Sequence, residues 1–315
     1  MLDCATAAIV VSFNPVSDEL ERLLESVLPQ VSITIVVDNG SLPETLNYLE
    51  TKIGDHVHWL RLERNVGVAN AQNVGIAWAK SYGATHIVLF DQDSEPANDM
   101  VARLLNAANE LAIRGVRVAA VGPRYKDRKN RELSDFVRFG PLGFTRTRCN
   151  DSDSVVNADF LISSGALIPV CTIDDIGGME NDLFIDHVDT EWFLRARAKG
   201  YQTFGVCRAV MFHNLGETTR RLWFLRWRLV PIHSQFRYYY IFRNSLLILR
   251  RNYVDSLWKF CEILRLFKIA VMFGIFIPPR FQNIRMMALG IQHALLGLKG
   301  SLDDAREQHS KSVRK

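Results

Sequence analysis

Short β-branched runs recur through the first third of the chain, each closing on polar or turn-forming residues, and this alternation limits the fold more than any other feature. The runs lie at 7–13, 33–37, 57–62 and 85–90. Near-continuous apolar runs of this length read as parallel strands buried on both faces. Helical periodicity fills the gaps, at 18–28, 44–53 and 69–82, and a further helix at 99–114 leads to a strand at 116–121. The β-α-β-α order predicts an α/β fold with a doubly wound, mostly parallel sheet and right-handed crossovers. Ligands of such sheets lie at the carboxyl ends of the strands. The residues just after each run are therefore the ones to inspect.

Each run ends on chemistry. The first ends on Asn14-Pro15 and the second on Asp38-Asn39-Gly40-Ser41. The third is followed by Arg64-Asn65-Val66-Gly67 and the fourth by Asp91-Gln92-Asp93-Ser94. Asp91 and Asp93 can share one pocket if the chain leaves strand geometry there. Hard oxygen ligands of this kind suit Mg²⁺ or Mn²⁺ and leave open positions for phosphates. Asp38 has two readings, a carboxylate accepting from a pyrimidine imide or an Asx turn opening the next helix. The Asn65-to-Gly67 turn can offer amides, with Asn65 or Asn73, to a nucleotide, or simply start a helix.

Farther on, Asp186, Asp189 and Glu191 stand where an apolar run opens into a helix. One of them can act as general base toward an acceptor hydroxyl, or they can complement a helix N-terminus. His213, in Met211-Phe212-His213-Asn214, is either structural or close to a metal or diphosphate. The sequence Ser12-Phe13-Asn14-Pro15-Val16 lacks the G-x-G-x-x-G of a nicotinamide-binding turn, which excludes that class of oxidoreductase. It also lacks the glycine-rich basic loop expected of a nucleotidyltransferase.

In order and spacing these segments resemble the family 2 glycosyltransferases, and within them the bacterial rhamnosyltransferases. The pieces that carry the resemblance include Val37-Asp38-Asn39-Gly40-Ser41, Asn65-Val66-Gly67 and Leu89-Phe90-Asp91-Gln92-Asp93-Ser94. Ser163-Ser164-Gly165, the run at 184–192 with Arg195, His213-Asn214-Leu215-Gly216 and Arg237-Tyr238-Tyr239-Tyr240 complete them. The resemblance implies a GT-A fold and inverting transfer in a single displacement. It implies a nucleotide contact set of Asn14, Asp38, Asn65, Gly67, Asn73, Asp91 and Gln92, with Asp38 on the base. Asp91, Asp93 and His213 would hold a divalent metal and Asp189 would be the base. Glu191 and Trp192 would hold the acceptor or orient that base. Val188 stands where many relatives have a glutamate, and Gln72 where they often have an arginine. The implied donor is dTDP-L-rhamnose; another nucleotide sugar, or a catalytically inactive scaffold, is the alternative.

The domain reading is 1–219 for the nucleotide-sugar-binding catalytic part, 220–300 for amphipathic helices and 301–315 for a charged, mobile tail. Arginine mixed with aromatics at 220–228, and an apolar helix face at 259–276, suit a membrane interface, which agrees with a lipid-linked glycan acceptor. Packing on the catalytic part, or pairing in a homo-oligomer, is the other use of such helices. No nucleic-acid partner is expected. Five widely spaced cysteines without a C-x-x-C pair read as unpaired thiols of a reducing compartment. With no signal peptide and no apolar run near the roughly 20 residues of a membrane span, the expected place is cytoplasmic, peripheral on the inner membrane face.

Overall fold

Parallel pairing around one central strand organises the first part of the computed structural model, which describes residues 5–127, 133–140, 143–150, 155–213, 219–224, 226–231 and 234–313. β1 (Thr6–Ser12) pairs in parallel with β2 (Ile33–Asp38), which pairs with β3 (His58–Arg61); β4 (His86–Asp91) flanks β1 on its other side. Register brings Ser12 beside Asp38 and Val11 beside Asp91. The two acids thus leave the sheet on either side of the end of β1, about 10 Å apart at two strand spacings. α1 (Ser17–Val27), α2 (Pro43–Ile53), α3 (Val68–Ser81) and α4 (Met100–Ile113) connect and cover the strands, as the periodicity predicts.

Beyond β4 the sheet becomes mixed. The described strands run on through β5 (Ser94–Pro96), β6 (Val118–Asp127), the hairpin β7 (Phe136–Gly140) and β8 (Gly143–Thr147), β9 (Val155–Ala158), β10 (Leu167–Pro169) and β11 (Gln202–His213). The sheet order is β3-β2-β1-β4-β10-β6-β11-β5. β10 runs antiparallel between β4 and β6, and so delivers the turn at Ser163-Ser164-Gly165 to the end of β4. β5, only three residues long, returns antiparallel along β11 and sets Ser94 opposite His213. α5 (Val170–Ile176) and α6 (Val188–Ala198) lie in the connection from β10 to β11. One core cluster fills the face of the sheet covered by α1 and α4, from Ala8, Val10 and Leu24 to Leu104, Val121 and Met211.

The chain splits into two compact units, Met1–His213 and Asn214–Lys315. In the second, two sequence expectations are corrected. Helices were expected from Arg220, yet β12 (Thr219–Phe224) and β13 (Arg226–Pro231) pair antiparallel, with Trp223 opposite Trp227. Short apolar runs do not distinguish strand from helix by periodicity, and the side chains of this hairpin lie outside the described residues. The charged tail is instead α10 (Leu302–Val313), opened by a capping box: the Ser301 amide donates to Asp304 Oδ2 and the Asp304 amide to Ser301 Oγ, both at 3.0 Å. The Tyr238-Tyr239-Tyr240 run that carries part of the family resemblance lies in the core. Arg243 is wholly buried on α7 (Gln235–Leu249), donates to the Gly300 carbonyl at 2.6 Å, and lies over the Tyr239 and Tyr240 rings. α8 (Ser256–Val271) and α9 (Arg280–Leu295) complete the bundle around Tyr238, Phe242, Phe273 and Met287.

The thiol reading is corrected as well. Cys149 and Cys207 form a disulfide with Cα atoms 5.7 Å apart, while Cys171 and Cys261 are free. Among the described residues no helix is long and apolar enough to cross a membrane.

Candidate active site

The polar residues that end β1, β2 and β3 are bonded mainly to one another. Asp38 is buried, and its carboxylate is filled by its own turn. Oδ2 accepts from the Gly40 amide (3.2 Å) and the Ser41 amide (2.9 Å); Oδ1 accepts from the Ser41 hydroxyl (2.5 Å) and the Ser12 hydroxyl (3.3 Å). A carboxylate has about four acceptor positions, and the turn and Ser12 occupy those of Asp38 here. These bonds form the Asx turn, one of the two readings of Asp38. Gly40 has φ +84°, and a side chain there would fall 2.5 Å from the Arg64 backbone, so the β2 and β3 turns lie against each other.

Asn39 locks that contact. Its Oδ1 accepts from the Val66 amide (2.9 Å) and its Nδ2 donates to Asn65 Oδ1 (3.1 Å), which also accepts from the Gly67 amide (3.0 Å). The Asn65 side-chain carbonyl thus accepts two bonds within the joined turns. Gly67, at φ +87°, would drive a side chain to within 2.6 Å of Phe184, and the Val68 amide donates to the Phe184 carbonyl. The nucleotide-side turn is in this way bound to the segment that opens α6. Asn73 is consumed too: its Nδ2 donates to the Met179 carbonyl and Asn181 Oδ1, and its Oδ1 accepts from the Met179 amide. Asn14 caps the β1 turn, its amide donating to Ser41 Oγ (2.7 Å) and its Oδ1 accepting from the Leu42 amide. Gln92 Oε1 accepts from the Phe13 amide at 2.7 Å, tying the Asp91-to-Asp93 turn to β1.

On the other side of the crevice the carboxylates are held differently. The Asp91 amide donates to Ser164 Oγ (3.0 Å), and Ser164 Oγ also meets Ser94 Oγ (2.7 Å), so one buried serine sets both ends of the Asp91-to-Asp93 turn. Next to Ser164, Ser163 offers its backbone amide to Asp189, which also accepts from the Thr190 amide (2.7 Å). Burial pushes the Asp189 carboxyl above the ordinary aspartate range; its hydrogen bonds oppose this, and the charge of Asp186 adds to it. Tyr125 joins the two acids. Its hydroxyl donates to the Ser164 carbonyl (2.8 Å), and burial first, then the charges of Asp91 and Asp189, push its phenol up.

The approach to α6 is strained. Phe184, Asp186 and His187 all have φ between 62° and 65°, a region costly for side chains with Cβ and often found at functional sites. Glu191 and Trp192 hold α6 in place. Glu191 is 1% exposed and forms a bidentate pair with Arg195 at 2.8 and 2.9 Å; Arg195 also donates to the Ile176 and Gly178 carbonyls. Trp192 is fully buried and donates from Nε1 to the Gly177 carbonyl. Both side chains thereby anchor the loop under α6, the helix whose first turn carries Asp189.

The backbone of His213 pairs with Ser94, the neighbour of Asp93. Its imidazole, and Asn214 to Gly216 after it, lie outside the described residues. Among the described residues no cluster of three or more His, Cys, Asp or Glu side chains surrounds one point. Asp91 and Asp93 still offer the hard oxygen pair that suits Mg²⁺ or Mn²⁺, which commonly binds through one or two carboxylates plus substrate phosphates. Sequence reasoning missed Asn39, Ser164 and Tyr125 as builders of this crevice. Asn39 and Ser164 stood inside motifs that were visible, whereas Tyr125 carried no signal.

Residues 7–163 match the profile described as Glycosyl transferase family 2. The dTDP-rhamnosyl transferase RfbF of Shigella flexneri is 32% identical over 260 residues, covering 81% of this chain and 83% of that protein. Among solved structures, S. aureus TarS 1–349 in complex with UDP-GlcNAc superposes with a TM-score of 0.56 at 15% identity, over 91% of this chain and 80% of that one. GalNAc-T7 with UDP, GalNAc and Mn²⁺ gives a TM-score of 0.56 at 14% identity, over 87% of this chain. The matched region spans 58% of the GalNAc-T7 chain. At these identities the two structures establish a shared GT-A-like fold.

Proposed function

The chain belongs to glycosyl transferase family 2, and on that premise we propose that it moves L-rhamnose from dTDP-L-rhamnose, with inversion, to a hydroxyl of a lipid-linked glycan. The observation that carries this reading is the pairing of Asp189, its carboxyl raised by burial, with the Asp91-to-Asp93 turn through the adjacent serines 163 and 164. A carboxylate with a raised proton affinity is a better general base than an ordinary aspartate. Asp189 takes the proton of the acceptor hydroxyl as that oxygen attacks the anomeric carbon. The bond from that carbon to the diphosphate breaks in the same displacement, and dTDP leaves. Asp91 and Asp93 would hold a divalent cation, with His213 as a further proposed contact; when bound, the cation neutralises charge on the leaving diphosphate.

Rhamnose is supported by the 32% identical relative, named as a dTDP-rhamnosyl transferase. A second reading is transfer from another nucleotide sugar. It is favoured by the state of Asp38, whose filled carboxylate leaves base selection to other groups. The acceptor and a place on the inner face of the cytoplasmic membrane are part of the same proposal.

Thermal unfolding with dTDP, UDP, GDP and ADP, each with and without Mg²⁺ or Mn²⁺, tests the donor. A ligand at 100 times its dissociation constant adds roughly 2.7 kcal/mol. Metal-dependent stabilisation that is largest with dTDP is the expected result. A larger effect of another nucleotide supports the second reading, and no effect of any nucleotide on folded protein overturns both.

A further inference from the structure

The helices of the second unit leave a band of apolar side chains in solvent. On α8, Phe260, Ile263, Leu264 and Phe267 are exposed, and a spacing of three and four residues sets them on one helix face. The corner after α8 adds Ile275 and Phe276, and the first turns of α9 add Phe281 and Ile284. Corner and helix pack side by side, since a side chain at Gly274 would come within 3.2 Å of Ile284. Phe281 is 78% exposed and Phe276 58%. Single exposed apolar residues are ordinary on a soluble surface, but a contiguous patch of this kind marks an interaction surface.

The charge around the patch has one sign. Lys259, Lys268, Arg280 and Arg285 flank it, and among the described residues none of the four is in an ion pair. Between Ser256 and Gly300 the sequence holds a single acid, Glu262. That acid is buried and paired with Arg265 at 2.6 Å, so it offsets none of the four flanking cations.

We infer that this face of α8 and α9 docks on the surface of an anionic lipid bilayer, the corner phenylalanines entering the interface and the four cations meeting headgroup phosphates. Amphipathic helices with cations beside an aromatic and aliphatic face bind bilayers by that combination. A second copy of the chain fits poorly, because two such faces would bring eight cations together with no acid between them. Neither α8 nor α9 is long and apolar enough to cross the membrane, so the contact lies in the plane of the surface. The inference rests on the membrane location proposed above and names the surface that makes it; it does not depend on the identity of the donor sugar.

Flotation of the full-length protein with vesicles tests it, using phosphatidylcholine alone and phosphatidylcholine mixed with phosphatidylglycerol, at low and high salt. Strong binding to the mixed vesicles, weakened by salt, is expected. Each of Lys268→Gln, Arg280→Gln and Arg285→Gln should weaken it roughly fivefold, the equivalent of ~1 kcal/mol per cation near the surface. Phe276→Ser combined with Phe281→Ser should abolish flotation, with the melting temperature and nucleotide stabilisation unchanged because both side chains lie in solvent. Absence of flotation by folded wild-type protein would overturn the inference. So would a dimer, seen by sedimentation, that the paired serine substitutions dissociate. Nucleotide stabilisation and transfer to a detergent-dissolved acceptor report on the crevice alone, so failure there is distinguishable from failure here.

Discussion

The β2–β3 side of the crevice and the β4–α6 side carry the same kinds of polar residue, but the fold uses them in opposite ways. On the first side Asp38, Asn39, Asn65 and Asn73 spend their hydrogen-bonding groups on neighbouring turns. On the second, Asp189 is pushed toward its protonated form by burial, with a strained backbone just before it. Buried polar groups that are fully bonded rigidify a structure, whereas a shifted carboxylate beside a crevice is poised for proton transfer. Residue type and position after a strand are therefore insufficient to separate frame from chemistry. What distinguishes Asp189 is the burial that raises its carboxyl against the hydrogen bonds it accepts.

The largest expected effect lies on the β4–α6 side. Asp189→Asn should lower turnover by about 10²–10⁴-fold, the usual contribution of a general acid or base, with metal-dependent nucleotide binding unchanged. Wild-type turnover in that variant would place the base elsewhere. The acid limb of kcat/KM in the wild-type enzyme sharpens the point. Asp189 acts when deprotonated and burial raises its proton affinity, so activity should rise with pH through a midpoint above the ~3.9 of an ordinary aspartate. The limb should be missing from the residual activity of Asp189→Asn.

Below α6 the expected effect is on stability. Arg195→Met leaves Glu191 buried without its bidentate partner and should cost about 3–5 kcal/mol in chemical denaturation. A loss of activity with no change in stability would mean that Glu191 faces the acceptor after all. Asn73→Ala, on the frame side, removes three hydrogen bonds to the loop at 179–181 and should cost about 1–3 kcal/mol. Its nucleotide affinity, measured on protein that is still folded, should stay close to wild type.

Much of the fold was legible because parallel strands buried on both faces must be apolar along their length. That rule located β1, β2 and β4 and, through the residues after them, the crevice. What the sequence does not reveal about the crevice has a common cause in partners distant along the chain. Asn73 is bonded to residues more than a hundred positions away, and nothing near it in the chain announces that bond. Likewise, the bonds that tie Trp192 and the Glu191–Arg195 pair to the loop at 176–178 leave no local mark in the sequence. The hairpin at β12 and β13 was misread because its apolar runs suit either period. The Ser301–Asp304 capping box, by contrast, was readable and was outweighed by the charge of the tail.

Calorimetric titration of dTDP, with and without Mn²⁺, into the wild type, Asp93→Asn and Asp38→Asn tests the division between the two sides most directly. The account predicts that Asp93→Asn keeps the wild-type melting temperature and loses the Mn²⁺ dependence of binding. Asp38→Asn should melt lower and keep that dependence. The reverse pattern, metal dependence lost in Asp38→Asn and kept in Asp93→Asn, would contradict it.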